Sequence, residues 1–168
     1  MVRICALLAG LALAACSPVG AAQETPPAPA SSAADTPATD PDSGLTLIDV
    51  TIVSGAQRHS FVTELADTAE AQARGMMFRT EMGDDEGMLF PSYAPQARSF
   101  WMKNTPLPLD IIFVGPDSRI TNIEAGVPYT TESVSSIGPA LAVFEIRGGL
   151  SEELGVQAGD MVEFQLPE

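Results

Sequence analysis

The chain contains very little cysteine and histidine. Its two cysteines, Cys5 and Cys16, lie within the first 16 residues, and His59 is its only histidine. The rest of the chain therefore has no thiol for a disulfide, a thiolate nucleophile or a zinc ligand. A single histidine excludes multi-histidine metal sites, and no G-x-S-x-G pattern of a hydrolase nucleophile accompanies it. We predict no cofactor and no bound metal.

Basic residues are also scarce. The chain has eight Lys and Arg residues against 22 Asp and Glu residues, which gives a net charge of −14. Residues 45–168 alone contain 18 acidic and seven basic side chains. An acidic surface repels phosphate backbones. Nucleic acid is therefore not expected as a partner.

No apolar run is long enough to span a bilayer, which takes roughly 20 residues. A shorter run, residues 4–15, follows Arg3 and ends in Leu13-Ala14-Ala15-Cys16. This pattern is typical of a secretory signal, and its end resembles the lipobox of bacterial lipoproteins. The resemblance implies cleavage before Cys16 and a lipid on its sulfur.

We therefore predict a signal peptide over residues 1–15 and a membrane anchor on Cys16. Ser17, rather than Asp, follows the cysteine, which by the same resemblance favours the outer membrane, facing the periplasm. An ordinary signal peptide that leaves a soluble protein is the alternative.

A segment rich in Pro, Ala, Ser and Thr follows the cysteine. Residues 17–44 contain six prolines and no aromatic residue, so they cannot bury enough apolar surface to offset the entropy of ordering. We predict a disordered tether over residues 16–44 and one folded domain over residues 45–168.

The pattern of that domain is mostly period two, which is typical of strands. We predict strands over residues 45–53, 60–65, 88–90, 97–103, 109–114, 119–124, 141–146 and 161–166. Gly115-Pro116-Asp117-Ser118 predicts a hairpin turn between two of them. Short helices are predicted near 68–74, with a capping box from Asp67 to Glu70, and near 151–154. The fold class is mostly β: a single-domain jelly-roll-like sandwich or partly closed barrel with one or two short helices.

Two segments place charged groups directly beside large apolar ones. They are residues 74–79, Arg-Gly-Met-Met-Phe-Arg, and residues 99–110, Ser-Phe-Trp-Met-Lys-Asn-Thr-Pro-Leu-Pro-Leu-Asp. Such a composition suits the lining of a ligand pocket as well as ion pairs that stabilise a small fold.

These segments resemble a known family. Together with Gly87-Met88-Leu89-Phe90, Phe144-Glu145 and the 155–160 run Gly-Val-Gln-Ala-Gly-Asp, they are similar to the family called domain of unknown function 192. The resemblance covers residues 62–163. It implies a mostly β, jelly-roll-like sandwich, and it implies no reaction. The family has glycine where Ser118 stands, so the turn type of the hairpin is left open.

Within the two segments we identify six candidate ligand-binding residues: Arg74, Arg79, Trp101, Lys103, Asn104 and Asp110. Trp101 would stack on a ligand, although a lone tryptophan is more often part of a core. Lys103 and Asn104 would bind a carboxylate or hydroxyl, or form a structural turn. Asp110 opens an apolar strand, and a buried carboxylate there is either an acid–base group or half of an ion pair. We predict pairing with Arg74, Arg79 or Lys103, because unpaired buried charge is costly.

Strand alternation places Glu145 and Arg147 on one face, which predicts a pair on the solvent side. Glu145 and Asp110 are also candidates for the two carboxylates of a glycosidase, which must flank a cleft about 5 to 10 Å apart.

Three functions follow from these residues. The first is a non-catalytic envelope module that binds a small polar ligand or a partner protein. The second is a hydrolase or lyase that acts on envelope glycans through Asp110 and Glu145. The third is copper binding by the five methionines that fall within residues 76–102, since thioethers are soft donors that suit Cu(I).

Overall fold

The computed structural model describes residues 38–167. The predicted signal peptide, Cys16 and residues 17–37 of the predicted tether lie outside the described residues. No helix within residues 38–167 is long and apolar enough to cross a membrane. The elements, in chain order, are β1 (Leu47–Ser54), β2 (Gln57–Leu65), α1 (Ala69–Arg74), β3 (Glu86–Gln96), β4 (Ser99–Phe100), β5 (Leu109–Val114), β6 (Ile120–Gly126), β7 (Val134–Ser135), β8 (Ala140–Arg147), α2 (Leu150–Leu154) and β9 (Met161–Phe164).

Seven of the strands form one mixed sheet in the order β6-β5-β8-β3-β2-β1-β9. β2 and β3 pair in parallel, whereas the other neighbours are antiparallel. β4 and β7 form a small second sheet. The prediction of a mostly β single domain with two short helices is confirmed. The large sheet is not closed into a barrel, although its outer strands approach each other at one bridge between Arg119 and Met161.

Both faces of the central strands are buried. β5 is buried at every position and β8 at all but two, as expected for strands that carry near-continuous apolar runs. On the first face, Ile112, Phe144 and Ile146 belong to one apolar cluster with β1, β9 and α2. On the second face, Ile111, Phe113 and Val143 belong to another.

The chain between β2 and β3 covers the second face. Parallel strands need a crossover connection, and here it contains α1 and the 74–79 segment. Met76 from this crossover packs into the second apolar cluster, as does Met102 from the chain between β4 and β5. These two segments therefore form a layer over β3, β5 and β8.

The hairpin between β5 and β6 is confirmed, with Gly115 N–H donating to Arg119 O at 2.7 Å. Ser118 adopts a left-handed φ of 60°, the conformation that glycine takes most readily. The serine hence retains the backbone geometry that a glycine would favour.

α1 begins one residue later than the predicted capping box implies. Thr68 is its N-cap and accepts a hydrogen bond from Ala71 N–H at 3.1 Å, as threonine commonly does at this position. The helix ends at Gly75, as the sequence predicts.

The folded part of the chain includes residues 38–44, which the sequence places in the tether. The Asp40 carboxylate accepts backbone N–H groups of Asp42 and Ser43, and Leu47 N–H donates to Ala38 O at 2.7 Å. These bonds form a closed turn against the start of β1. The boundary at residue 44 is thus moved by a local Asx-type turn that composition does not reveal.

The strand predicted over residues 97–103 is much shorter, since only Ser99 and Phe100 pair with β7. Its alternation is correct nonetheless: Met102 is buried, whereas Trp101 and Lys103 are exposed. The chain leaves the strand after Phe100 and turns across the second face.

Candidate functional site

The two unusual segments of the sequence lie side by side. Phe78 N–H in the 74–79 segment donates to Asn104 O in the 99–110 segment at 2.8 Å. Asn104 Nδ2 lies 3.9 Å from Met77 Sδ. Both segments thereby become walls of one site over the second face of the sheet.

A third loop, residues 127–130, borders the same site. Tyr129 N–H donates to Thr105 O at 3.1 Å, and Met102 N–H donates to Thr130 O at 3.0 Å. Main-chain bonds thus hold three loops together, and a rigid set of loops is what positions side chains for binding.

A small cavity of about 40 Å³ lies between the sheet and the 74–79 and 99–110 segments. Glu145 of β8 lies at its base, and we call it the Glu145 cavity. Its walls and rim include Arg74, Met76, Met77, Trp101, Met102 and Thr105. Roughly 10 to 15 Å³ of such volume holds one water molecule, so the cavity admits only a few non-hydrogen atoms.

Glu145 is buried, with 4% of its surface exposed. In the sheet it lies between Met88 of β3 and Ile111 of β5. Burial raises the pKa of this carboxyl group to about 8, because removal from water disfavours the charged form. No hydrogen bond from the described residues offsets this desolvation.

The predicted solvent-side pair of Glu145 with Arg147 is wrong. Arg147 instead bonds the carboxylates of Asp84 and Glu153. The alternation of β8 is as predicted, but the crossover segment and the 99–110 segment cover the face on which Glu145 lies. One signal was available: Glu145 interrupts an apolar run over residues 141–146, a pattern typical of a strand buried on both faces.

The predicted ion pair of Asp110 is also wrong. Its carboxylate accepts the backbone N–H of Gly149 at 2.9 Å and that of Ser151 at 2.8 Å. These donors lie at the start of α2, where free N–H groups and the helix dipole attract a negative charge. Within residues 38–167, Asp110 is therefore buried without a paired cation, because α2 supplies the compensating donors.

Asp110 and Glu145 cannot act as a glycosidase pair. Asp110 is paired in register with Ile146, and Glu145 with Ile111. Because successive side chains of a strand point to opposite faces, the two carboxylates lie on opposite sides of the sheet. They do not flank a common cleft, and this contradicts the predicted hydrolase or lyase.

The predicted cations have different surroundings. Arg79 binds both carboxylate oxygens of Glu64, at 2.5 and 2.6 Å, and Glu64 also accepts the hydroxyl of Ser43. This pair joins the 74–79 segment to β2, a role the sequence did not indicate for Glu64. It is structural and lies outside the cavity.

Arg74 and Lys103, in contrast, form no ion pair with any carboxylate between residues 38 and 167. Arg74 is exposed at the rim of the Glu145 cavity. Lys103 Nζ lies 5.2 Å from the ring centroid of Trp101, a cation–π distance. In a chain with a large excess of acidic groups, these two cations remain available at one place.

Trp101 is not a core residue, because 48% of its surface is exposed. Phe78 and Tyr129, whose N–H groups donate to Asn104 O and Thr105 O, are also exposed, and both have a positive φ, 67° and 62°. Bulky residues rarely adopt this conformation, and such strain is concentrated at functional sites. The sequence analysis missed Phe78 and Tyr129, since nothing in an isolated sequence predicts a left-handed aromatic residue.

Three of the five clustered methionines, Met76, Met77 and Met102, line the cavity, whereas Met82 lies elsewhere. Within residues 38–167, no three His, Cys, Asp or Glu side chains come together in a way that would hold a metal ion. A metal at this site would depend on thioether sulfur and the Glu145 carboxylate.

Comparison with known proteins gives a family but no activity. Residues 50–164 match the family described as DUF192, uncharacterized ACR, which confirms the resemblance found in the sequence. A protein of unknown function from Novosphingobium aromaticivorans DSM 12444 is 51% identical, with a TM-score of 0.74, over 77% of this chain and 94% of that one.

A second solved structure is a protein from Sinorhizobium meliloti 1021, described as a candidate transcription regulator. It is 34% identical, with a TM-score of 0.69, over 71% of this chain and 95% of that one. No curated protein matches the chain.

Proposed function

The chain belongs to the DUF192 family, whose description assigns no activity, and we propose that it is a binding module that holds one end of a small polar ligand in the Glu145 cavity. One observation carries the proposal. Glu145 is a desolvated carboxyl group without a hydrogen-bond partner among residues 38–167, placed at the base of a cavity between the 74–79 and 99–110 segments. Proteins seldom bury such a group unless it has a function.

The geometry favours binding over catalysis. The cavity contains one carboxyl group, and the second acid of the predicted hydrolase lies on the far side of the sheet. Half of the other lining residues are methionine or aromatic, a composition typical of ligand pockets that use few polar groups to fix orientation.

Trp101 provides the experiment. It is the only tryptophan of the chain and lines the cavity, so its fluorescence reports on the site. The full chain in detergent micelles is titrated with free amino acids, aliphatic amines, carboxylates and monosaccharides. We expect at least one class to change the emission of Trp101 with a saturable dependence, and we expect Glu145→Gln to remove that response.

Two controls make the result specific. Tyr93→Ala removes an exposed aromatic residue from β3, outside the cavity lining, and should leave the titration unchanged. Binding that persists in Glu145→Gln, or the absence of any saturable change over the whole panel, would contradict the proposal.

Copper binding is a second candidate, and the convergence of Met76, Met77 and Met102 on one cavity favours it. Three thioethers would suit Cu(I), which prefers soft sulfur donors. The test is titration with Cu(I) under reducing conditions against a competing chelator. Met76→Leu and Met102→Leu should each weaken retention, whereas Met82→Leu, outside the cavity, should not; equal retention in all three variants rejects this candidate.

The bacterial envelope is the proposed location. The Leu13-Ala14-Ala15-Cys16 sequence supports a lipid anchor on Cys16, and the Pro-rich residues that follow support a tether to the membrane. The description of the Sinorhizobium protein as a candidate regulator is not extended to this chain, because a net charge of −14 opposes contact with a phosphate backbone.

A further inference from the structure

We propose that the ligand is a short amino acid zwitterion, with its ammonium group against Glu145 inside the cavity and its carboxylate at Arg74 on the rim. This inference rests on the proposed function and names the ligand class of that same site. It follows from the base, the walls and the rim of the Glu145 cavity, which differ in chemistry.

The base requires a donor or a cation. The Glu145 side chain is buried between Met88 and Ile111, and no described residue donates a hydrogen bond to its carboxylate. A buried carboxylate is stable when it is paired and hydrogen-bonded. An ammonium group supplies both a positive charge and up to three donors.

The size of the cavity limits what reaches that base. Its volume of about 40 Å³ corresponds to roughly three water molecules at 10 to 15 Å³ each. A primary ammonium with one or two methylene groups fits this space, whereas a sugar ring does not. The thioethers of Met76, Met77 and Met102 present apolar, adaptable surfaces to a methylene chain.

The rim requires the opposite charge. Arg74 lines the mouth of the cavity, and Lys103 lies beside it over the Trp101 ring. Neither forms an ion pair within residues 38–167, although acidic groups greatly outnumber basic ones. A guanidinium group without a carboxylate partner is well suited to a carboxylate of the ligand. A ligand with a charge of only one sign would satisfy either the base or the rim, and a zwitterion satisfies both.

Other charged groups around Glu145 are few. Arg74, the last residue of α1, and Lys103 lie on the segments that cover the sheet. On the sheet, Glu64 and Glu124 occupy the same row as Glu145, two strands away on either side. Glu64 is paired with Arg79, and Glu124 accepts Asn122 Nδ2 at 2.9 Å. Neither glutamate lines the cavity, so Glu145 is the group whose ionisation should be linked to ligand binding.

The test uses three ligands of equal chain length, 4-aminobutyrate, n-butylamine and butyrate. Each is titrated into the full chain in detergent micelles at pH 6 and pH 8.5, with Trp101 fluorescence as the readout. We expect 4-aminobutyrate to bind most tightly and butyrate least. The affinity of 4-aminobutyrate and n-butylamine should rise with pH, because Glu145 must lose its proton before it pairs with the ammonium group.

Variants separate the two ends of the ligand. Glu145→Gln should weaken both amines about 30-fold or more, as expected when one partner of a buried charge pair is removed. Arg74→Gln should weaken 4-aminobutyrate and leave n-butylamine unchanged. Glu152→Gln and Arg58→Gln make the same charge changes outside the cavity lining and should leave all three affinities unchanged.

The proposal of a zwitterionic ligand would be overturned if butyrate bound most tightly of the three, or if the affinity for the amines fell as the pH rose. A Glu145-dependent response to another member of the broader ligand panel would then leave the proposed function intact. Both proposals fail if no ligand of either set produces a saturable change in Trp101 emission, or if every such change persists in Glu145→Gln.

Discussion

At the scale of single residues, Glu145 makes the stability of the protein depend on pH in an unusual direction. Its pKa is about 8 in the folded state against 4.5 for an unperturbed group, so the folded state holds a proton that the unfolded state releases. The contribution of Glu145 to the free energy of unfolding is fully present below pH 4.5 and is lost as the pH rises to 8. At about 1.4 kcal/mol per pKa unit, the loss is about 3 to 5 kcal/mol.

We therefore predict that Glu145→Gln flattens this dependence. Urea unfolding of wild type and variant at pH 5, 6, 7 and 8 measures the difference in the free energy of unfolding. The free energy of unfolding of the variant should rise relative to that of the wild type at each step from pH 5 to pH 8. A constant difference between the two proteins would show that Glu145 ionises normally.

Asp110 is another buried acid, and its importance is structural. We predict that Asp110→Asn lowers the free energy of unfolding by about 2 to 4 kcal/mol, because an amide accepts only one of the N–H groups of Gly149 and Ser151 through its oxygen. Chemical denaturation at pH 7 measures the loss. Asp49→Asn, an exposed site on β1, is the matched control and should change stability little.

If Asp110→Asn were as stable as Asp49→Asn, the capping assignment would fail. If folded Asp110→Asn bound 4-aminobutyrate with a different affinity from the wild type, this would contradict the placement of Asp110 on the face away from the cavity.

The sequence located both acids in apolar strands but could not identify their partners. Asp110 is compensated by main-chain N–H groups of α2, and main-chain donors look the same in every sequence. Glu145 was predicted on the solvent side of its strand, because alternation alone does not show which face of a strand another segment covers. Of the six predicted ligand-binding residues, Arg74 and Trp101 line the Glu145 cavity. The position of Glu145 at its base depends on contacts between distant parts of the chain, which local patterns do not show.

At the scale of elements, period-two alternation predicted the long strands well. β5 was predicted with its observed bounds, and β1, β2, β6 and β8 within a few residues. β7 was missed because two residues cannot show a period. β3 extends beyond the predicted 88–90 through Pro91 and Pro95, residues that a sequence-based assignment excludes from strand interiors.

The turn of residues 38–44 leads to a prediction about truncation. A chain that begins at residue 38 should be more stable than one that begins at residue 45, by about 1 to 2 kcal/mol, because the shorter chain loses the Leu47 bond to Ala38 and the Ser43 bond to Glu64. Urea unfolding of both truncated chains measures the difference.

Ser43→Ala in the longer chain isolates the side-chain part of this effect. It should reproduce a fraction of the loss, since the main-chain bonds remain. Identical unfolding midpoints for the chains starting at 38 and 45 would show that the turn does not support the fold.

At the scale of the whole molecule, the order of the strands determines where the site lies. β2 and β3 are parallel neighbours, so the chain that connects them is a crossover that must pass over one face of the sheet. That crossover contains the 74–79 segment, so the topology brings it above β8 and close to the 99–110 segment. Local patterns cannot predict this pairing, because it joins residues that are distant along the chain.

The proposed anchor is also a property of the whole chain. We predict that Cys16→Ala shifts the protein from the membrane fraction to the soluble fraction of a bacterial cell, because the lipid attachment sulfur is lost and multiple acyl chains are needed for stable anchoring. Immunoblotting of separated fractions measures the shift.

Mass spectrometry of the wild-type protein tests the same prediction directly. The mature amino terminus should be residue 16 with a lipid mass added. An unmodified terminus further along the chain, or equal membrane association of wild type and Cys16→Ala, would reject lipidation.

The contact between the two outer strands has one more consequence. Near the Arg119–Met161 bridge, Ile120 N–H donates to Asp160 O and Val162 N–H donates to Ser118 O, both at 2.8 Å. The unpaired N–H and C=O groups of an exposed edge strand can pair with a strand of another molecule and start aggregation. Here each border shields the other at this point, so crowded copies of the protein find fewer open main-chain groups from which a fibril could grow.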